Sequence, residues 1–139
     1  MKSSATAAAL ALLLLSSAVP FVGALHAQAG PDTAFLEELT WTEVRARIDT
    51  GTTTIIVPTA GTEQNGPHMV LGKHKFIVNH ASNLIARELG NALVAPVVTY
   101  VPEGSVERIA EHARYNGTIT LPNEHYMRLL EYAARSLAM

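Results

Sequence analysis

The sequence contains no cysteine. Small exported domains commonly staple themselves with disulfides, so this chain must hold together through its core, a bound metal or association with another chain. Lipid attachment to an N-terminal cysteine is excluded for the same reason. An excess of one charge is missing too: ten Lys plus Arg stand against twelve Asp plus Glu, a formal −2, with no basic block, and nothing points to nucleic acid. The uninterrupted apolar run Ala7 to Leu15 falls short of the ~20 residues that a bilayer crossing needs.

The run has another meaning in its context. Met1-Lys2 supplies a small positive start, Ser16-Ser17 and Pro20 break the apolar stretch, and Ala27-Gln28-Ala29 has the small-residue A-x-A pattern. This predicts a secretory signal peptide over residues 1–29, cut before Gly30, and a domain over residues 30–139 that reaches the periplasm or the extracellular space without a membrane anchor. About 110 residues suffice for one modest domain.

Within that domain, Gly30 to Thr33 read as a flexible lead. Thr40 and Glu43 form a capping box, Trp41, Val44 and Ile48 share a helical face, and Gly51 closes the helix. Trp41 is expected to anchor the core or a subunit contact. Thr52 to Val57 is a short β-branched strand, followed by a loop of small and polar residues to about Lys75. Ile77, Val78, Ala81, Leu84, Ile85 and Leu89 then recur at helical spacing until Gly90-Asn91. Ala92 to Val98 reads as a second strand and Thr118 to Leu121 as a third. Tyr126, Leu129, Leu130, Ala133 and Leu137 mark a last helix with Asn123 as its N-cap. Alternating helices and strands predict an α/β fold, a parallel sheet with crossover helices. Three strands make a small sheet with edges to cover, so the fold is expected to be incomplete at its C-terminus or to close by forming a homo-oligomer.

The chemistry concentrates in Gly61 to His74, just past the first strand, where open α/β sheets place ligands. Glycines 61, 66 and 72 and Pro67 allow tight turns, so that Glu63, His68 and His74 can converge. A carboxylate and two imidazoles suit a divalent transition metal. A solvated polar loop satisfies the same composition.

This loop, with the strand before it and the helix after it, resembles the first signature of the creatininase family of metal-dependent amidohydrolases. Leu93 to Pro96 and Gly117-Thr118-Ile119-Thr120-Leu121 continue the resemblance. It implies a creatininase-like α/β sandwich and a divalent metal, zinc or manganese first and iron next. It also implies metal-assisted hydrolysis of a non-peptide C–N bond, commonly in a small cyclic amide. Glu63 matches the family's first metal-binding glutamate and His68 the second histidine of its motif. Asn65 stands where the family has a metal-binding His, and His74 where it has the Asp that bridges two metals. An imidazole nitrogen cannot bridge two cations as a carboxylate can, so one metal or an altered pair is expected. Lys73 and Lys75 flank His74; pointed inward they would disfavour a nearby cation, and they could equally receive an anionic substrate. Glu111 and His112 fall near the family's His-containing substrate loop and are the candidates for proton transfer. The family's remaining ligands lie in a downstream Gly-Asn-rich motif that is not in this sequence. The alternative is therefore an exported, non-catalytic or truncated module that keeps the fold and lacks the distal ligands.

Overall fold

The computed structural model describes residues 30–138; the expected signal segment, residues 1–29, lies outside the described residues. Among the described residues no helix is long and apolar enough to cross a membrane.

Helix α1 spans Trp41–Asp49. The backbone N–H of Thr40 donates to the Glu43 carboxylate at 2.7 Å, and the Glu43 N–H donates to Thr40 Oγ1 at 3.4 Å, the reciprocal bonds that the Thr-x-x-Glu spacing predicts. Trp41 is 81% exposed, so the expectation of a core anchor within this chain does not hold. It sits on the first turn of the helix.

Two strands follow the β-branched and apolar runs but are shorter than those runs: β1 is Thr54–Ile56 and β2 is Ala92–Val94, parallel, with Thr54 opposite Ala92 and Ile56 opposite Val94. Helix α2, Lys73–Leu89, is the crossover between them, and Gly90 ends it in the left-handed conformation at φ 72°. Past the strands the two chains stay in register: Ala95 N–H donates to Ile56 O, Val98 N–H to Pro58 O and Ala60 N–H to Val98 O. This extended pairing carries the chain from β1 directly into the Gly61 loop.

The third strand is not where the sequence places it. Thr118 to Leu121 form one antiparallel bridge, Ile119 to Thr62, and no strand. The far edge of β2 is instead covered by the segment read as a flexible lead running on into Ala34-Phe35: Phe35 bridges Val94 in parallel, and Val94 N–H donates to Ala34 O at 2.8 Å. All three residues of β2 are buried, and buried backbone groups need partners on both sides. Burial of β2, with no pattern in residues 30–35 themselves, dictates that pairing.

Helix α2 meets the sheet through Ser82 and Ala86, not through the stripe the periodicity picks out. Ala86 packs with Ala34, Ala92 and Val94, while Ile77, Leu84, Ile85 and Leu89 stay exposed. Small side chains let the helix lie close to β2, and the longer apolar ones are left on the outer face. Helix α3, Asn123–Leu137, begins one residue earlier than expected: Pro122 occupies the N-cap, and Asn123 is already helical and caps nothing. The last helix keeps Tyr126, Leu130, Ala133 and Leu137 half-buried, with Leu129, Met127 and Tyr132 exposed.

Candidate metal centre

Glu63 is the pivot of the site. It follows the Thr62–Ile119 bridge, its N–H donates to Leu71 O at 3.2 Å, and it is 7% exposed. A carboxylate this deep must find donors or a cation. His74, in the first turn of α2, supplies one donor: its Nδ1–H lies 2.9 Å from Glu63 Oε1. Asn65 supplies another, its side-chain amide donating to the Glu63 carbonyl at 3.2 Å and to Oε1 at 3.4 Å. The loop is held by its own turn bonds. Gly66, at φ 90°, donates to Gln64 Oε1, and Met69 N–H donates to Gly66 O.

The remaining neighbours of Glu63 come from the stretch after β2. Glu103 is fixed through its backbone, its N–H donating to Thr120 Oγ1 at 2.9 Å while the Thr120 hydroxyl donates to Gly104 O at 2.8 Å. His112 lies in a short 3-10 turn, Glu111–Arg114, and its Nδ1–H donates to Gln64 O at 3.3 Å. Glu63, Glu103 and His112 each offer one ligand atom within 4.8 Å of the other two.

The electrostatics follow from this crowding. Burial, then a hydrogen bond with Glu63 and that residue's negative charge, pushes the Glu103 carboxyl up to about 7. Glu63 is held below the usual carboxylate range, chiefly because the Glu103 carboxyl donates to it, with Asn65 and the nearby His74 and His112 adding to the effect against the cost of burial. One proton is shared where two negative charges would otherwise face each other.

The sequence-derived site residues separate into groups. Glu63, Asn65 and His74 are brought together, and His112 joins them from a loop some fifty residues away. His68 is exposed beside Gly66 and does not belong to the convergent group. Glu111 is exposed and adopts φ 52°, a left-handed backbone uncommon outside glycine, on the turn that presents His112. It lines a recess of about 450 Å³ together with Gly104, Glu107, Thr120 and Pro122. Lys73 and Lys75, flanking His74 on α2, make no hydrogen bond or ion pair with the Glu63 group. Sequence reasoning missed Glu103. Its signal was positional: it lies beyond the C-terminal end of β2, opposite the loop that leaves β1.

Donor chemistry is compatible with a divalent cation. Two carboxylates and an imidazole are hard-to-borderline ligands of the kind zinc and manganese take, and three such groups leave a position open.

A sequence-family profile described as "Creatininase: Creatinine amidohydrolase" matches residues 37–139. Creatinine amidohydrolase from Pseudomonas putida is 32% identical over 68 residues, 49% of this chain and 26% of that protein. The crystal structure of a creatinine amidohydrolase (creatininase) superposes with a TM-score of 0.68 at 26% identity, over 78% of this chain and 41% of the other. A structure described as "Creatininase Mn" matches with a TM-score of 0.67 at the same identity, over 76% of this chain and 40% of its own, and a creatininase of "Zn-Zn type" with a TM-score of 0.68. The chain thus spans about a quarter of the curated relative and about two fifths of the solved structures.

Proposed function

The chain belongs to the creatininase family, and from that premise we propose that it is a metal-dependent amidohydrolase hydrolysing a non-peptide C–N bond in a small, cyclic amide-like substrate. The observation that carries this reading is the buried Glu63 carboxylate on the loop beyond the C-terminal end of β1, with imidazole and carboxylate groups from two other segments directed at it. The relatives described as manganese and zinc forms support a divalent metal here.

A bound divalent cation supplies carbonyl polarisation and an activated water at neutral pH. The chain's own residues arrange the rest. Glu63 would hold the cation, and the Nδ1–H of His74 and the Asn65 amide orient its Oε1. Glu111 stands in the wall of the neighbouring recess, where the substrate would lie, and would take the proton released by the attacking water and pass it to the leaving nitrogen. His112 keeps its Nδ1 proton on Gln64 O, which ties the recess to the Glu63 loop.

Residues 1–29 are read as a cleaved export signal and residues 30–139 as the domain; the support is the sequence pattern alone. Association with copies of itself has the exposed Phe76, Ile77, Leu84 and Ile85 of α2 in its favour. A non-catalytic metal-binding module is the second reading, favoured by Asn65 and His74 standing where the family has His and Asp.

Hydrolysis of a panel of lactams, hydantoins and cyclic guanidino amides by metal-loaded protein, with Glu63→Gln and Glu111→Gln alongside, tests the proposal. Turnover that Glu63→Gln abolishes, and that Glu111→Gln slows without changing metal content, supports the enzyme. Metal binding with no turnover on any member favours the module.

A further inference from the structure

We propose that Glu63, Glu103 and His112 together hold one divalent cation, and that Gly61 lacks a side chain so that Glu103 can enter the site. The inference rests on the metal-dependent reading above and changes the ligand set which the Gly61–His74 motif implies. That set is Glu63 with Asn65, His68 and His74, all from one loop and the helix that follows it.

Geometry separates the two sets. Asn65 directs its amide N–H groups at Glu63, and His74 gives Glu63 its Nδ1–H, so both serve as donors to the carboxylate. Glu103 and His112 instead place ligand atoms within 4.8 Å of each other and of Glu63. Bonds of about 2.0–2.2 Å to a four-coordinate cation put neighbouring ligand atoms roughly 3.3–3.6 Å apart, so closing the group around an ion needs side-chain movement on the order of 1 Å. Three protein ligands leave a fourth position for water or substrate, the arrangement of catalytic zinc.

Two further observations point to a ligand. His112 donates its Nδ1–H to the Gln64 carbonyl, which leaves Nε2 as the ring atom with a free lone pair; metal-binding histidines characteristically tie their other nitrogen to such an acceptor. Gly61 is buried between the two carboxylates. A Cβ built there would overlap Glu103 Oε1, stand 2.8 Å from Glu103 Cδ and lie 3.2 Å from Glu63 Oε2. The space that any other residue's Cβ would fill is the space through which Glu103 reaches Glu63. The clamp of the Glu103 backbone on Thr120 holds it there.

The site therefore assembles from the loop after β1 and the two turns after β2, all within this chain. His74 becomes a positioning residue for Glu63, and His112 a ligand, in place of the proton-transfer role that the family resemblance gave it.

The test is titration of Zn²⁺ into the chelator-stripped full chain by calorimetry, with Co²⁺ absorption as a readout of ligand number and circular dichroism to confirm folding. Expected are one ion per chain and a loss of at least tenfold in affinity for Glu103→Gln and for His112→Ala. Gly61→Ala is expected to lose at least tenfold in the wild-type background and less than twofold further in a Glu103→Ala background, because the clash it creates is with Glu103. Glu103→Gln binding within twofold of wild type, while Asn65→Ala or His74→Ala removes the ion, overturns the ligand set and leaves the metal-dependent reading standing. A folded wild-type chain that binds neither ion overturns both.

Discussion

Replacing Glu103 by glutamine in the metal-free chain should stabilise it, increasingly so as pH rises from about 4.5 to about 7. The Glu103 carboxyl is pushed up to about 7 from an ordinary 4.5, first by burial and then by the hydrogen bond and charge of Glu63. The unfolded chain releases that proton near 4.5, whereas the folded chain keeps it until about 7. Folding stability contributed by the protonated group is therefore complete below about 4.5 and is lost as pH rises through about 7. The gap corresponds to about 3 kcal/mol at 1.36 kcal/mol per pH unit, and water reaching the half-buried Glu103 reduces it to about 1–3 kcal/mol. Glu63 runs the other way: held below its ordinary range, it loses stability only as pH falls beneath 4.5, outside this window. Glutamine keeps the shape of the protonated acid at every pH. Urea denaturation of wild type and Glu103→Gln at pH 5 and pH 8, in the presence of chelator, should give a small difference at pH 5 and the variant ahead by about 1–3 kcal/mol at pH 8. Other titrating groups cancel in that comparison. A variant less stable than wild type at pH 8, or a difference equal at both pH values, would refute the carboxylate pairing.

Leu93→Ala, at a side chain only 1% exposed in the central strand, should cost about 2–5 kcal/mol, read as a lower urea midpoint with an unchanged slope. Gly90→Ala places a Cβ on a left-handed backbone at φ 72° and should cost about 1–2 kcal/mol, with Gly90→Asn losing less. Thr40→Ala removes the acceptor at the start of α1 and should cost about 1 kcal/mol, checked by thermal unfolding.

Local signals in the sequence were readable where the physics is local. The Thr40–Glu43 box starts α1 because both of its bonds span three residues, and Gly90 ends α2 because the left-handed cap needs no distant partner. The parallel strands and their crossover helix followed from two apolar runs flanking an amphipathic stretch. Glu63, Asn65 and His74 lie together for the same reason, since all three sit on one loop and the helix after it, whereas His68 of the same loop stays exposed. What was not legible depends on tertiary placement. The partner of β2 on its far edge is Ala34-Phe35, a pair with no strand pattern of its own, selected by the unpaired backbone of a buried strand. The packed face of α2 is Ser82 and Ala86, which hydropathy ranks below the leucines and isoleucines left outside. Glu103 carries no motif, and its meaning emerges only when Gly61 is seen to make room for it.

In the reading proposed above, Glu63 anchors a metal centre. Elemental mass spectrometry of the purified full chain, with Glu63→Gln prepared in parallel and both shown to be folded, tests it most directly. Near-stoichiometric zinc, manganese or iron is expected in the wild type and little in the variant. A folded wild type free of metal, or equal metal in both proteins, would contradict it.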